Sequence, residues 1–365
     1  MAEVNKKYSK RFVIVFAIAL VFFMACIGLI SYLVDPFFQF RAKEGTTYFL
    51  NPRFVNGGLA KHYDYNTVVM GSSMMQNMNL SILRENDPSV KPVKLSTGGM
   101  NYLEMEYLYS FVDKEKAKTI ILNLDIPTFN LLFEDMRYPH YLYEDGFVNK
   151  LEYLYGYETF VRYVPIDIGL TLYLKDEGHM TPKYHMKTSI ENIGNISLDT
   201  EYGEGRVKMM YLTGQTVSPQ ATGEDMVPRM KQRLDTLLSR LEIEKYKDID
   251  YTVILPPYSV LYWYNAKREG YYDTFRDFVN YILEKTEGYE NLKIVFFFDA
   301  EETADLNHYS DITHFDPVLS DMIMENINNP DYVLNSSNIE ERLNRLDSLV
   351  NKFTEDNNDW LPKIE

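Results

Sequence analysis

From Phe12 to Val34 the chain reads FVIVFAIALVFFMACIGLISYLV, 23 consecutive residues without a charge. As a helix rising ~1.5 Å per residue this run reaches ~34 Å, enough to cross a hydrocarbon core ~30 Å thick with a little tilt. It is expected to be a transmembrane helix over 12–34, preceded by a stub over 1–11. A cleaved signal peptide is the competing reading, but its apolar stretch usually spans ~7 to 15 residues and ends at a small-residue cleavage site. Here the run exits into Asp35-Pro36-Phe37-Phe38, so an uncleaved anchor is expected. Lys6, Lys7, Lys10 and Arg11 precede it against Glu3 alone. The positive-inside rule then puts the N-terminus in the cytoplasm and everything after Asp35 outside.

Stub and span together carry a net +3, which leaves −19 on the remainder of a chain whose formal charge is −16, from 37 Lys+Arg and 53 Asp+Glu. So acidic an exterior repels a phosphate backbone, which excludes nucleic acid as a partner. Any anionic polymer would have to be met locally or be brought by another subunit. The one cysteine, Cys26, lies in the span, so the exported part does without disulfides. Cys26 itself is read as an ordinary apolar span residue rather than a lipidation site.

Beyond the anchor, short apolar runs alternate with helical stretches. Strands are expected at Thr67–Met70, Val93–Ser96, Thr119–Leu124, Tyr251–Leu255 and Lys293–Phe298, several stopped by Gly, Pro or Asp. Runs that are continuously apolar rather than alternating belong in a sheet buried on both faces, hence parallel. Helices are expected at Asn101–Val112, Asp225–Tyr246 and Asp273–Leu283, each with an apolar stripe. The fold class is therefore α/β, a three-layer doubly wound parallel sheet. The exported domain is assigned to 35–330, with a Tyr-, Gly- and Asp-rich insertion over 126–223 on the loop face, followed by an amphipathic C-terminal helix and tail over 331–365.

Active sites of such sheets lie at the carboxyl ends of the strands. The first strand runs into Gly71-Ser72-Ser73, and a serine at a strand-to-helix turn has backbone N–H groups beside it for an oxyanion. A turn followed by an N-cap is the plain alternative. Late in the chain stands Ser310-Asp311-Ile312-Thr313-His314-Phe315-Asp316-Pro317. A nucleophilic serine needs a base, and the base needs an acceptor that fixes its tautomer; Asp311 and His314 supply both from one loop. Asp305-x-x-His308 is a second formal match, less favoured because Phe315-Asp316-Pro317 begins a helix directly after His314. His179 and His185, near Asp176 and Glu177, match no compact metal motif, so no metal and no cofactor are expected. Tyr258–Tyr264 is read as core and rim packing, with a glycan groove as the alternative.

Taken together, these blocks resemble the SGNH (GDSL-type) hydrolase superfamily, whose nucleophile follows strand one in a Gly-Asp-Ser motif and whose Asp-x-x-His lies near the C-terminus. The resemblance covers roughly residues 65–320. It implies Ser73 as nucleophile, His314 as base and Asp311 as its orienting acid, with Ser73 and Gly99, in Leu95-Ser96-Thr97-Gly98-Gly99, as oxyanion donors. Asn123-Leu124-Asp125 stands where the family has Gly-x-Asn-Asp. An ionised Asp125 in the place of the donor Asn would repel an oxyanion, so Ser72, Asn123 and Asp125 are held only as candidate site-lining residues. Ser72 in the Asp place, the Asn123 block and phrases such as MGSSMMQNM and DLNHYSDITHF resemble in particular the membrane-anchored branch that accompanies membrane-bound O-acyltransferases (MBOAT). Relatives of that branch serve teichoic-acid D-alanylation and alginate acetylation.

What the resemblance implies is a single-pass protein of the bacterial cell membrane. Its extracellular domain would transfer an acetyl or D-alanyl group to a cell-surface polysaccharide or teichoic acid together with an MBOAT partner. A surface esterase and a non-catalytic scaffold that binds polymer and acyltransferase are the alternatives.

Overall fold

The computed structural model describes residues 2–43, 46–48, 51–130, 135–173, 187–189, 193, 200–215 and 225–363. Helix α1, Ala2–Val34, starts upstream of the apolar run and takes in the basic residues before it. Its stretch Lys10–Val34 is long and apolar enough to cross a membrane. The helix ends at Asp35, whose left-handed φ of 43° turns the chain into the domain. The Asp35 carboxylate is buried and accepts from the Gln39 and Phe40 N–H groups and from the Tyr153 hydroxyl.

The domain is α/β. Its sheet comprises β1 (Thr67–Gly71), β2 (Pro92–Ser96), β3 (Thr119–Asn123), β4 (Asp250–Leu255), β5 (Leu292–Phe296) and β6 (Val333–Leu334). They lie side by side in the order β2-β1-β3-β4-β5-β6. The first five are parallel, while β6 is an antiparallel edge on β5. Every residue of β1 is buried, as a strand covered on both faces requires. The order reverses at β1, so the chain leaves β1 and β3 towards opposite sides of the sheet, and the carboxyl edge between them is where such sheets hold their sites.

The expected helices appear with shifted ends. Asn101 caps Tyr102–Ser110 in a reciprocal capping box with Glu104. Met226–Leu241 stops at Glu242, which adopts φ 47°, and the third helix is Tyr272–Thr286. The Tyr258–Tyr264 stretch forms the helix Val260–Arg268, capped by Ser259, and its rings are buried in the core. A glycan groove there is thereby excluded.

Two of the expected boundaries move. The one at 330 falls inside the domain: Val333–Leu334 joins the sheet, and the helix Ile339–Asp356 buries Leu343, Leu346, Val350 and Phe353. Arg342 on that helix pairs with buried Asp299 at 2.5 and 2.6 Å, tying the C-terminal helix to the turn after β5. Nor is the 126–223 insertion one cap on the loop face. Its helices between Phe147 and Tyr173 pack against α1, whereas Gly203 and Arg206 bind the loop that carries His314. His179, His185, Asp176 and Glu177 lie outside the described residues.

Candidate active site

The loop after β5 shows why an Asp three residues before a His forms a working pair here. Tyr309 and Phe315 form an antiparallel bridge, and the Ser310 N–H donates to the His314 carbonyl, so the loop is a narrow hairpin with Asp311 near its tip. Asp311 Oδ1 accepts from the N–H groups of Thr313 and His314, both at 2.8 Å, and from the Thr313 hydroxyl. This side-chain turn is the one short Asx residues favour. It leaves Oδ2 facing the ring of His314, with Nδ1 at 2.7 Å. The carboxylate only accepts, so Nδ1 carries the proton and Nε2 of the neutral ring is an acceptor. Ser73 Oγ lies 2.9 Å from Nε2 and donates to it. Ser73, His314 and Asp311 come from the carboxyl ends of β1 and β5, 241 residues apart in sequence for the Ser–His contact.

Electrostatics reinforce the pair. Burial pushes Asp311 upward, but the adjacent His314 and the hydrogen bonds from residues 313 and 314 outweigh it and hold the carboxyl well below the usual range. Burial likewise pulls His314 down, while the charge and hydrogen bond of Asp311, and then the charge of Asp125, leave it above its ordinary value of 6.5. The base is thus a better proton acceptor than a free imidazole, and more of it is protonated near neutrality.

Beneath Ser73 the three candidate lining residues form a support rather than a surface. Ser72 and Asn123 are fully buried. Asn123 Oδ1 accepts from the Ser72 N–H at 3.0 Å, and its Nδ2 donates to Ser72 Oγ at 3.1 Å. Both ends of this side chain are spent on fixing the residue before Ser73, which takes Asn123 out of the open site. Gly71 permits the approach: its φ is +148°, and a Cβ there would stand 1.8 Å from Asn123 Oδ1. Asp125 is buried as well and accepts a short hydrogen bond from the Tyr258 hydroxyl. Burial raises its pKa above the usual value, against the lowering hydrogen bonds of Tyr258 and Ser72 and the charge of His314. Its charge in turn acts on His314.

The β2 loop is held by a clamp that the sequence reading missed. Gly99 has a left-handed φ of 61° and is exposed, and its carbonyl accepts from Arg137. The Gly98 carbonyl accepts from Arg53 at 2.8 Å. Both guanidiniums are gripped by fully buried Glu104, at 2.5 Å for Arg137 and 3.0 Å for Arg53. With the two carbonyls committed to arginines, the loop's orientation is set from behind. The Asn101-x-x-Glu104 spacing is a legible capping signal, but nothing in it announced the two arginines, one of which comes from the insertion.

A cleft of about 470 Å³ opens at the opposite edge of the sheet, beside Thr67, Thr119, Asp250 and Leu292. It is lined by no serine or histidine. Compared with protein-family models and with curated protein sequences, the chain returns no match in either.

Proposed function

We propose that this chain is a membrane-anchored serine enzyme of SGNH type that carries acyl groups through Ser73. The observation that supports this reading is the continuous relay from Ser73 Oγ to His314 Nε2 (2.9 Å) and from His314 Nδ1 to Asp311 Oδ2 (2.7 Å). Ser73 Oγ attacks the acyl carbonyl as its proton passes to His314 Nε2, and Asp311 stabilises the resulting imidazolium. The tetrahedral oxyanion is received by the backbone N–H groups of Ser73 and Gly99. Collapse expels the leaving group, which takes the proton back from His314, and leaves an ester on Ser73. An acceptor hydroxyl then repeats the sequence in reverse: His314 removes its proton, the hydroxyl attacks the ester, and Ser73 is regenerated. Atoms and protons balance over the cycle.

A sugar or polyol hydroxyl on a cell-surface polysaccharide or teichoic acid makes the enzyme an acetyl or D-alanyl transferase, in company with an MBOAT partner in the bacterial membrane. Water as acceptor makes it an esterase. The long apolar α1 with its basic start supports a cytoplasmic N-terminus and an extracellular domain. Asp125 is buried and accepts from the Tyr258 hydroxyl, which weakens its support for a non-catalytic scaffold.

The test is trapping. Full-length protein in detergent, incubated with a small activated acetyl ester and acid-quenched, is expected to carry acetyl on the Ser73 peptide by mass spectrometry, and Ser73→Ala none. An unmodified wild-type peptide across several acyl donors would overturn the reading. Transfer and hydrolysis then separate by product: loss of surface ester in a deletion strain marks a transferase, a rise marks an esterase.

A further inference from the structure

The domain begins to cover α1 before that helix ends. Phe12 to Phe23 stand exposed, but from Cys26 onward one face, through Ile27, Gly28 and Ser31, is covered. The cover at Gly28 is Tyr155, so close that a Cβ on Gly28 would sit 2.6 Å from its hydroxyl. Gly28 stands ~26 Å along the helix from Arg11 at ~1.5 Å per residue. That falls short of the ~30 Å thickness of a hydrocarbon core. With the basic end of α1 held at one boundary, Tyr155 therefore meets the helix at the opposite acyl–headgroup boundary, where tyrosine is favoured. Tyr32, covered by the Arg41 guanidinium at 4.5 Å, continues this belt at the end of the helix.

Tyr155 ends the helix Phe147–Tyr155, and Val148 and Leu151 share its stripe at helical spacing. Both are exposed, as are Phe147 on the same helix and Tyr157, Val161 and Ile168 on the turns that follow; Phe147 and Val148 are 77% and 71% open. Outside α1, six of the nine exposed large apolar side chains among the described residues fall in this one segment, the others being Met209, Leu212 and Val318. Such a concentration marks an interaction surface, and its continuity with the face that grips α1 fixes which one. We propose that residues 147–168 form an interfacial element whose apolar face lies in the bilayer that α1 crosses, so that lipid is its partner. Two attachments fix the height and tilt of the domain as one flexible tether cannot. This inference rests on α1 spanning a bilayer and is independent of the chemistry at Ser73.

The test places nitroxide labels on full-length Cys26→Ser protein in phosphatidylcholine–phosphatidylglycerol nanodiscs, one at a time, through Val148→Cys, Val161→Cys, Phe22→Cys and Met209→Cys. Power saturation compares access to dissolved oxygen, which partitions into lipid, with access to a water-soluble nickel chelate. Positions 148 and 161 are expected to favour oxygen, as 22 does, while 209 favours nickel. Nickel access at 148 and 161 equal to that at 209 overturns the proposal. So does low access to both reagents, the sign of a protein contact on this face. A nickel-accessible 22 overturns the span itself, whereas turnover of an acyl ester by the same samples reports on Ser73 separately.

Discussion

Two Asp-x-x-His sequences stand six residues apart on one loop, and only one becomes a relay. In Asp311–His314 the chain closes as an Asx turn within a hairpin, so Oδ1 ties down the backbone and Oδ2 meets Nδ1 at 2.7 Å. In Asp305–His308 it closes as a turn of 3-10 helix, Leu306–His308, with Asp305 as N-cap accepting from Asn307. That geometry carries the second ring away: its Nε2 stands 3.9 Å from Asp305, and its Nδ1 pairs at 2.9 Å with Asp316, the N-cap of Pro317–Asn326. The same spacing thus gives a base aimed at a serine in one case and a strut between a loop and a helix in the other. What separates them is the backbone between Asp and His and the destination of the second ring nitrogen, neither of which spacing encodes.

The sharpest way to break this contrast is to delete each ring. His314→Ala is expected to lower kcat/KM for a small acyl ester by about 10⁴-fold or more, the scale on which serine relays lose activity when the base is removed. His308→Ala should leave the rate within about tenfold and instead cost roughly 1–2 kcal/mol of stability for the lost hydrogen bond. Steady-state kinetics beside urea melts read both, and a comparable loss of rate in the two variants would end the distinction.

The acids extend the comparison with a smaller effect. Asp311→Asn keeps a carbonyl oxygen for the Thr313 and His314 N–H groups, so the turn survives while the tautomer control on His314 is lost. A fall in kcat of on the order of 10³–10⁴ is expected with little change in stability. Asp305→Ala removes an N-cap, worth about 1 kcal/mol, with the rate unchanged. Should the asparagine variant unfold instead of losing rate, Asp311 is a structural residue and the relay reading fails.

The parallel strands were legible because a strand buried on both faces is written as an unbroken apolar run, as in Thr67–Met70 and Thr119–Asn123. Val333–Leu334 escaped notice because a two-residue edge strand paired on one side has no such run. Ser73 was legible because it lies just past a strand, where the chain must turn and polar side chains gather, and Asp311 and His314 because their spacing offers a base and its acceptor on one loop. Roles set by long-range contacts were not. Asn123 reads as a site-lining residue until Gly71 is seen to admit it against Ser72. Arg137 lies in a tyrosine-rich stretch whose sequence gives no hint of Glu104, and the close approach of Tyr155 to α1 requires a glycine at position 28.

The smallest of the expected effects separates Asp125 from Asp305 by charge alone. Asp125 lies buried near His314, and its charge is one of the influences that raise that histidine's pKa; Asp311 exerts the larger one. A base works only when neutral, so the acid limb of kcat/KM should fall above the pH expected for an ordinary imidazole. Removing a negative charge beside an imidazolium destabilises the charged form, which lowers the pKa and keeps the base neutral to lower pH. Asp125→Asn, which retains an oxygen to accept from Tyr258, is therefore expected to move the acid limb of kcat/KM downward. At Asp305 the matching change, Asp305→Asn, should leave the limb in place, because that carboxylate does not act on His314. An unmoved limb in Asp125→Asn would show that Asp125 is already uncharged in the working enzyme and that its charge does not act on His314.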